Sequence, residues 1–361
     1  MNRVYNFAAG PSMLPLPVLQ KAAEEMCDYR GTGMSVMEMS HRSAAYDEII
    51  HRAFDAFRRV MHVPDNYRIL FMQGGASTQF SAVPLNLMKT GKADYVVSGE
   101  FSNKAFKEAQ KFGDVKCIAS SADTNFDRIP HFTKADIRPD ASYVHICYNN
   151  TIYGTHFPEI PDTGEIPLVC DMSSCIMSEP IDISKFGLIY AGAQKNIGPA
   201  GLTVVIVRED LLDIARPETP VMLHYKTLAG ADSMYNTPPC YAIYIAGMVF
   251  EWVESLGGTE KMHEINKEKA GLLYDVLEQS KYFRLHAQKD SRSLMNVTFR
   301  SDDPDFDKTF VKAAAARGLV SLSGHRKVGG MRASIYNAMP VEGVKRLALF
   351  IQEFEASGGV V

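Results

Sequence analysis

The sequence lacks several patterns that mark common classes of protein. The uncharged stretch at residues 233–250 contains two prolines and is not the continuous apolar run of about 20 residues that crosses a membrane. The first residues have no apolar core like that of a signal peptide. The net charge is only −4, from 38 Lys and Arg against 42 Asp and Glu, so no global field attracts nucleic acid or anionic lipid. Any anion must therefore be recognised by a local cluster of charges.

Metal and nucleotide motifs are also missing. There is no HExxH and no Cys/His cluster with zinc spacing, so we expect no metal site. The chain has neither the Gly-Lys-Ser/Thr of a P-loop nor GxGxxG, which argues against NTP hydrolysis and a dinucleotide cofactor. The 6 cysteines include no CxxC pair and mostly fall in apolar runs. We therefore expect buried free thiols and a reducing, cytoplasmic compartment.

Short apolar runs alternate with helical patterns through most of the chain. The apolar runs are residues 68–72, 95–97, 115–119, 143–147, 167–170, 188–191 and 202–207, and the helical patterns include 43–62, 102–112, 241–256, 259–279 and 341–354. This alternation predicts an α/β fold with a mostly parallel sheet covered on both faces. A change of pattern near Gly257 predicts a large domain over 1–256 and a smaller C-terminal α/β domain over 257–361.

The most informative residue is Lys195, which follows the apolar run 188–191 among alanine, glycine and proline. Tightly held backbone leaves its amine little room to reach water, and desolvation lowers the pKa of an ammonium group. Such an amine suits a Schiff-base nucleophile. The alternative is a lysine at a strand end whose amine extends to solvent.

Asp171 ends another apolar run, and side chains that follow parallel strands meet at one edge of the sheet. A carboxylate and a lysine there fit pyridoxal phosphate chemistry. The carboxylate pairs with the ring nitrogen, and the lysine holds the aldehyde carbon. The alternative for Asp171 is that it caps the turn that follows it.

Such a cofactor also needs a phosphate site. The strand at 68–72 leads into Gly74-Gly75-Ala76-Ser77-Thr78 and a predicted helix start, where backbone N–H groups and hydroxyls bind phosphate. Asn236 and Thr237 form a second polar turn, for which helix capping is the alternative. Glycine turns are common in α/β proteins, so this pattern is weak by itself.

Two further residues are candidates for contact with the cofactor ring. Phe101 lies just past a strand end, where its face would stack on a pyridine, although most such aromatic residues belong to the core. Thr151 follows the run 143–147 and would donate to the ring's 3′ oxygen.

A cationic set completes the candidate site: His41, Arg42, His325, Arg326 and Arg332. Guanidinium groups bind carboxylate and phosphate in pairs of hydrogen bonds, so this set indicates an anionic small substrate rather than nucleic acid. An exposed basic loop is the alternative for residues 324–332.

Together these stretches resemble the phosphoserine aminotransferases, a family of class-V pyridoxal-phosphate enzymes. The matching segments are 6–11 (NFAAGP), 39–43 (MSHRS), 190–199 (YAGAQKNIGP), 235–239 (YNTPP), 324–326 (GHR) and 330–334 (GMRAS). The resemblance implies the aspartate-aminotransferase type of fold, fold type I, and a homodimer with shared active sites. It implies transfer of the amino group between L-glutamate and 3-phosphohydroxypyruvate, giving O-phospho-L-serine and 2-oxoglutarate in serine biosynthesis. Some relatives accept a phosphorylated threonine analogue of pyridoxine biosynthesis.

The resemblance also implies a role for each candidate. Lys195 would bind the cofactor and move the proton, Asp171 would pair with the ring nitrogen, and Phe101 and Thr151 would contact the ring. Arg332 would hold the substrate α-carboxylate. Around the cofactor phosphate it implies Ala76, Ser77 and Gln194 of one subunit and Asn236 and Thr237 of the other; around the substrate's second anion it implies His41, Arg42, His325 and Arg326.

The chain departs from the family pattern at three positions. Many relatives have tryptophan where Phe101 stands, so the stacking surface is smaller here. Serines often replace Ala8 and Ala9, so only backbone groups of Ala9 are expected to meet substrate.

Three other functions remain open from the residues alone. Alanine–glyoxylate aminotransferases and cysteine desulfurases would share the lysine and the aspartate, but neither requires the Arg42, His325 and Arg326 set. A non-catalytic protein that binds an anionic metabolite would not need a desolvated amine at Lys195.

Overall fold

The computed structural model of the protein describes residues 3–359. The strands are β1 (Tyr5–Asn6), β2 (Tyr67–Gln73), β3 (Lys92–Val97), β4 (Asp114–Ser120), β5 (Val144–Cys147), β6 (Asn149–Asn150), β7 (Thr155–His156), β8 (Leu168–Asp171), β9 (Leu188–Gly192), β10 (Leu202–Arg208), β11 (Arg284–Leu285), β12 (Asn296–Arg300), β13 (Leu319–Val320) and β14 (Met331–Ser334). The helices are α1 (Leu16–Glu24), α2 (Ala44–Val60), α3 (Gly75–Leu87), α4 (Glu100–Ala109), α5 (Tyr225–Ala229), α6 (Cys240–Ser255), α7 (Gly258–Glu278), α8 (Pro304–Ala316) and α9 (Val341–Ala356).

A seven-stranded sheet in the order β2-β10-β9-β8-β5-β3-β4 positions most of the candidate site. Its pairs from β9 through β8, β5 and β3 to β4 are parallel, whereas β10 is antiparallel to both β9 and β2. The predicted mostly parallel α/β sheet is confirmed. The reversed direction of β10 left no signal in the sequence, because a strand buried on both faces is a continuous apolar run in either direction.

Helices cover both faces of this sheet. In β2, Ile69 and Phe71 pack into one core with α2 and α6, and Leu70 and Met72 pack into another with α3 and α5. This division follows from the alternation of side chains along a strand. The amphipathic pattern at 43–62 forms α2, where the Ser43 side chain accepts a hydrogen bond from the Tyr46 N–H as N-cap.

The C-terminal part has its own core around the antiparallel sheet β11-β12-β14 and helices α7, α8 and α9. Gly257, at φ 107°, precedes α7, and few residues other than glycine adopt that backbone conformation. The first residues join this part, because β1 pairs with β13 and Phe7 packs into the same core. The division of the chain at residue 257 stays a prediction.

Some expectations were wrong in detail. Helix α4 begins at Glu100, two residues before the predicted start, so Phe101 lies in its first turn. Residues 318–322, whose pattern also predicts a strand, form only the short strand β13. Cys147, Cys170 and Cys175 are buried as expected, but Cys27 and Cys117 are exposed. Cys117 is exposed because β4 is an edge strand. Within residues 3–359, no helix has both the length and the apolar character that a bilayer requires.

Candidate active site

Lys195 lies in the turn that follows β9, at the edge of the large sheet. Its Nζ donates a hydrogen bond to the Thr151 hydroxyl at 2.7 Å and lies 4.9 Å from the centre of the Phe101 ring. Its backbone carbonyl accepts from the Ser12 hydroxyl, and the Ser12 N–H donates to the Gln194 carbonyl at 3.0 Å. The N-terminal segment therefore holds the lysine turn in place, and the amine points toward Thr151 and Phe101.

Burial is the main influence on the pKa of Lys195, and it lowers that pKa. The negative charge of Asp171 acts in the opposite direction, and the positive charge of Arg332 adds to the lowering. The proposed alternative, an amine extending to bulk solvent, does not describe this side chain. A larger fraction of neutral amine makes Lys195 a better nucleophile and base.

Asp171 is the last residue of β8, and β8 pairs directly with β9. The side chain is buried, and its Oδ1 accepts a hydrogen bond from the Ser173 N–H at 2.9 Å. The turn-capping alternative is therefore also realised. Within residues 3–359 the other oxygen, Oδ2, accepts no hydrogen bond, which leaves it available to a cationic ring nitrogen.

Arg332 comes to the site from β14 of the C-terminal sheet. Its guanidinium donates to the Thr151 carbonyl at 3.2 Å, so Thr151 contacts both Lys195 and Arg332. Burial lowers the pKa of Arg332. A partly desolvated guanidinium beside a reactive amine is suited to holding the carboxylate of an amino acid.

The predicted phosphate site is the N-terminus of α3. Gly74 (φ 99°) and Gly75 (φ 70°) turn the chain from β2 into the helix, which brings the N–H groups of Ala76 and Ser77 to its start. A Cβ on Gly192 would lie 2.8 Å from Gln194 Oε1 and 3.3 Å from the Ala76 backbone nitrogen. Gln194 and Ala76 thus converge at the end of β9.

One expected hydroxyl is not available to a phosphate. The Thr78 Oγ1 donates to the Gly74 carbonyl at 2.8 Å and so closes the turn itself. The roles of Ala76, Ser77 and Gln194 stay proposals, since only their convergence at this turn is observed.

Among residues 3–359, no hydrogen bond joins Asn236 or Thr237 to Lys195. Both are exposed, and the Thr237 carbonyl accepts from the Gln73 side chain at 3.2 Å on the outer side of β2. Helix capping does not explain them, because the N-cap of α6 is Pro239. Tyr235 beside them is 50% exposed, which is unusual for a large aromatic side chain.

The cationic set divides into two groups. His325 and Arg326 lie on the loop before β14, and Arg332 and Arg326 both lower the pKa of His325, after burial as the main cause. His41 and Arg42 lie just before α2, and no hydrogen bond or ion pair within residues 3–359 joins them to Lys195 or Arg332. The Nε2 atom of His41 is buried and has no hydrogen-bond partner within residues 3–359.

Sequence reasoning missed several residues near the site. The Tyr336 hydroxyl donates to the Ala9 carbonyl at 2.8 Å, which ties the N-terminal segment to the chain that follows Arg332. The Ser173 hydroxyl accepts from the Gly192 N–H at 3.0 Å and joins β8 to β9. Ser173 had a signal, since it lies two residues after a candidate aspartate; the contact of Tyr336 with Ala9 is too distant in sequence to have one. Within residues 3–359, no group of His, Cys, Asp or Glu side chains is arranged to hold a metal ion.

Comparison with known proteins gives one consistent result. The sequence model of the family Aminotransferase class-V matches residues 4–347. The chain is 52% identical over 356 residues to the phosphoserine aminotransferase of Bacillus cereus (98% of this chain, 99% of the relative) and 53% identical over 364 residues to that of Nitrosomonas europaea (98% and 99%).

Solved structures agree with the sequence relatives. The fold is similar to the phosphoserine aminotransferase of Bacillus circulans subsp. alkalophilus, with a TM-score of 0.96, 47% identity and 99% coverage of each chain. It is also similar to the pyridoxal-phosphate-bound enzyme of Trichomonas vaginalis, with a TM-score of 0.93, 40% identity, and coverage of 97% of this chain and 100% of that one. The expected fold type I is thereby confirmed. The chain belongs to the class-V, pyridoxal-phosphate-dependent aminotransferases and, within them, to the phosphoserine aminotransferases.

Proposed function

We propose that the protein transfers the amino group of L-glutamate to 3-phosphohydroxypyruvate, giving 2-oxoglutarate and O-phospho-L-serine in serine biosynthesis. The observation that carries this proposal is the contact of the Lys195 amine with Thr151, whose carbonyl accepts from Arg332. Transamination of an amino acid requires a nucleophilic amine close to a guanidinium that binds the carboxylate, and here both groups contact Thr151.

The side chains at the site fit pyridoxal phosphate. Lys195 offers an amine for the aldehyde, Asp171 a buried carboxylate for the ring nitrogen, and the start of α3 a set of N–H groups for the phosphate. Phe101 lies where it would stack on the ring, and the Thr151 hydroxyl would turn from Lys195 to the ring oxygen. When bound, the cofactor supplies an aldehyde that condenses with amines and a protonated ring that accepts electrons from the substrate.

Lys195 carries the proton in this proposal. Its lowered pKa favours the neutral amine, which takes the proton from the α-carbon of the amino donor and later returns it. Asp171 would accept a hydrogen bond from the ring nitrogen through its buried carboxylate and so hold a proton on that nitrogen. Thr151 orients the amine before the reaction through the hydrogen bond at 2.7 Å.

The cations divide the recognition of substrate between them. Arg332, next to Thr151, binds the α-carboxylate. His325, Arg326, His41 and Arg42 bind the second anion, which is a phosphate in one substrate and a side-chain carboxylate in the other. In the two substrates the second anion lies at a similar distance from the α-carbon, so one set of cations serves both half-reactions. Ala9 contributes only backbone groups, and its carbonyl already accepts from Tyr336.

A homodimer with shared sites belongs to the same proposal. Asn236 and Thr237 are exposed and lie away from Lys195, so they would reach the cofactor phosphate of the partner subunit. His41 and Arg42, which no hydrogen bond or ion pair among residues 3–359 joins to Lys195 or Arg332, are assigned to the same arrangement. Mixing Lys195→Ala with Asn236→Ala subunits tests this: verified heterodimers should recover partial activity, and no recovery contradicts sharing.

Transamination by glutamate, with 3-phosphohydroxypyruvate, pyruvate and glyoxylate compared as acceptors, tests the function. We expect strong preference for the phosphorylated acceptor. Equal or greater activity with glyoxylate would favour an alanine–glyoxylate aminotransferase, release of sulfur from cysteine would favour a desulfurase, and binding without turnover would favour a non-catalytic protein.

Two finer assignments are part of the proposal. The same cationic set would accept 4-phosphohydroxythreonine of pyridoxine biosynthesis, because that compound carries its phosphate on a similar side chain. A cytoplasmic location is supported by the cysteines, which are free thiols in the structure.

A further inference from the structure

The loop that carries His325 and Arg326 is an ordered turn. The Gly324 N–H donates to the Gly330 carbonyl at 2.8 Å and closes the base of the loop. The N–H groups of Val328 and Gly329 both donate to the His325 carbonyl at 2.9 Å. These hydrogen bonds fix the backbone conformation of the loop, so the position of His325 and Arg326 depends on where the loop as a whole is held.

Two neighbouring side chains hold this loop against α4. The Lys327 Nζ lies 3.2 Å from the Glu100 Oε2, and the Glu100 side chain is only 15% exposed. Val328 is buried in a small apolar cluster with Ile152 and Tyr153, against which Phe101 also packs. Glu100 and Phe101 are consecutive residues, so both anchors of the loop lie at the helix turn that presents the stacking ring.

Glu100 also interacts electrostatically with His325, one of the two cations on the loop. Its charge raises the pKa of His325, against the net lowering caused by burial, Arg332 and Arg326. A second lysine, Lys104, lies 3.9 Å from the same carboxylate but belongs to α4 itself. Of these two lysines, only Lys327 joins the helix to the loop.

We propose that Glu100, Lys327 and Val328 form a loop anchor that positions His325 and Arg326 relative to Phe101, and that this anchor sets the affinity for the doubly anionic substrates. The inference rests on the proposed function. In this proposal Lys327, which is paired with Glu100, acts by holding the loop. The three are positioning residues: they fix the distance between the cations for the second anion and the ring beneath the reacting carbon.

The test compares Lys327→Met and Glu100→Gln with Lys111→Met, all as holoenzymes. Lys111 is a matched control, since it pairs with Glu108 at 2.6 Å near the other end of α4, away from the loop. For each anchor variant we expect the KM for 3-phosphohydroxypyruvate and for glutamate to rise about fivefold, as loss of a partly buried ion pair implies, with kcat changed less than about twofold. Val328→Ala should raise both KM values on the order of tenfold, because it also removes buried methyl groups.

Two further measurements separate positioning from general damage. Hydrogen exchange of residues 324–330 should be faster in the anchor variants than in the wild type or in Lys111→Met. The double variant Glu100→Lys with Lys327→Glu reverses the ion pair. Its KM values and its loop exchange rate should be closer to those of the wild type than the values of either single variant are.

The proposal is overturned if Lys327→Met matches Lys111→Met in KM and exchange, or if kcat falls while KM stays unchanged. A wild-type enzyme that does not use 3-phosphohydroxypyruvate refutes the proposed function instead. If that happens, the loop anchor is still tested by hydrogen exchange. Exchange in Lys327→Met that equals the wild-type rate would overturn the anchor as well, and faster exchange would support the anchor.

Discussion

Arg332 donates a hydrogen bond to the carbonyl of Thr151, the residue whose hydroxyl accepts from Lys195. Arg332 belongs to the C-terminal sheet and Lys195 to the edge of the large sheet. A single residue after β6 therefore fixes the carboxylate-binding group relative to the reactive amine. This relationship makes the geometry of the site depend on the packing between the two parts of the chain.

The hydroxyl of Thr151 should matter more than its size. Thr151→Val keeps the shape but removes the hydroxyl, which contacts Lys195 and would contact the ring oxygen when the cofactor is bound, and a hydrogen bond to a charged group is worth about 1.5–3 kcal/mol. We expect kcat/KM to fall by roughly ten- to hundredfold. Steady-state kinetics with glutamate checks this, and Thr151→Ser, which keeps the hydroxyl, should retain most activity. Equal losses in both variants would show that the hydroxyl is not what matters.

The charge of Arg332 should be visible in the pH dependence of cofactor capture. Capture of pyridoxal phosphate by the apoenzyme needs neutral Lys195, so its rate rises with pH through the pKa of that amine. Arg332 lowers this pKa, so Arg332→Met should move the midpoint to higher pH. Absorbance of the protein-bound cofactor, followed across pH, measures the midpoint. A midpoint that stays fixed or moves downward would contradict the placement of Arg332 beside the amine.

Gly192 should tolerate no side chain. A Cβ there would meet Gln194 and Ala76 at the proposed phosphate site, so Gly192→Ala should weaken cofactor binding on the order of tenfold or more. Equilibrium titration of the apoenzyme with the cofactor measures this. Gly271→Ala is the control, because a Cβ at that position in α7 meets nothing within 4 Å. That change should leave binding alone and stabilise the helix by about 0.5–1 kcal/mol.

The sequence was informative where local pattern decides structure. Apolar runs located the strands of the large sheet, and the convergence of strand ends predicted that Lys195 and Asp171 share one edge of that sheet. The start of α4 was missed because Ser102 accepts hydrogen bonds from the N–H groups of Ser98 and Gly99, which extends the ordered turn backwards past the first periodic residue.

Contacts between distant parts of the chain had no such signal. Arg332 and Thr151 are 181 residues apart, and Tyr336 and Ala9 are 327 apart. Their meeting depends on how the C-terminal sheet packs on the large one, which no local periodicity encodes. The same holds for Lys327 and Glu100, whose pairing depends on the placement of a loop on a helix from another part of the fold.

A second buried lysine allows a sharp test of which amine reacts. Lys269 in α7 is fully buried, and burial lowers its pKa to about 7. Its Nζ, however, donates to the carbonyls of Ile335, Tyr336 and Met339 at 2.9, 2.8 and 3.2 Å. All three donors of an ammonium are thus occupied. A low pKa alone does not make a nucleophile; of these two amines, it is that of Lys195 that lies beside Thr151 and Phe101 at the candidate site.

The most direct measurement is to reduce the holoenzyme with borohydride, digest it, and locate the retained cofactor by mass spectrometry. The cofactor mass should be found on the peptide that contains Lys195, and Lys195→Ala should retain none. Cofactor on the Lys269 peptide, or a wild-type protein that retains none after incubation with pyridoxal phosphate, would contradict the account.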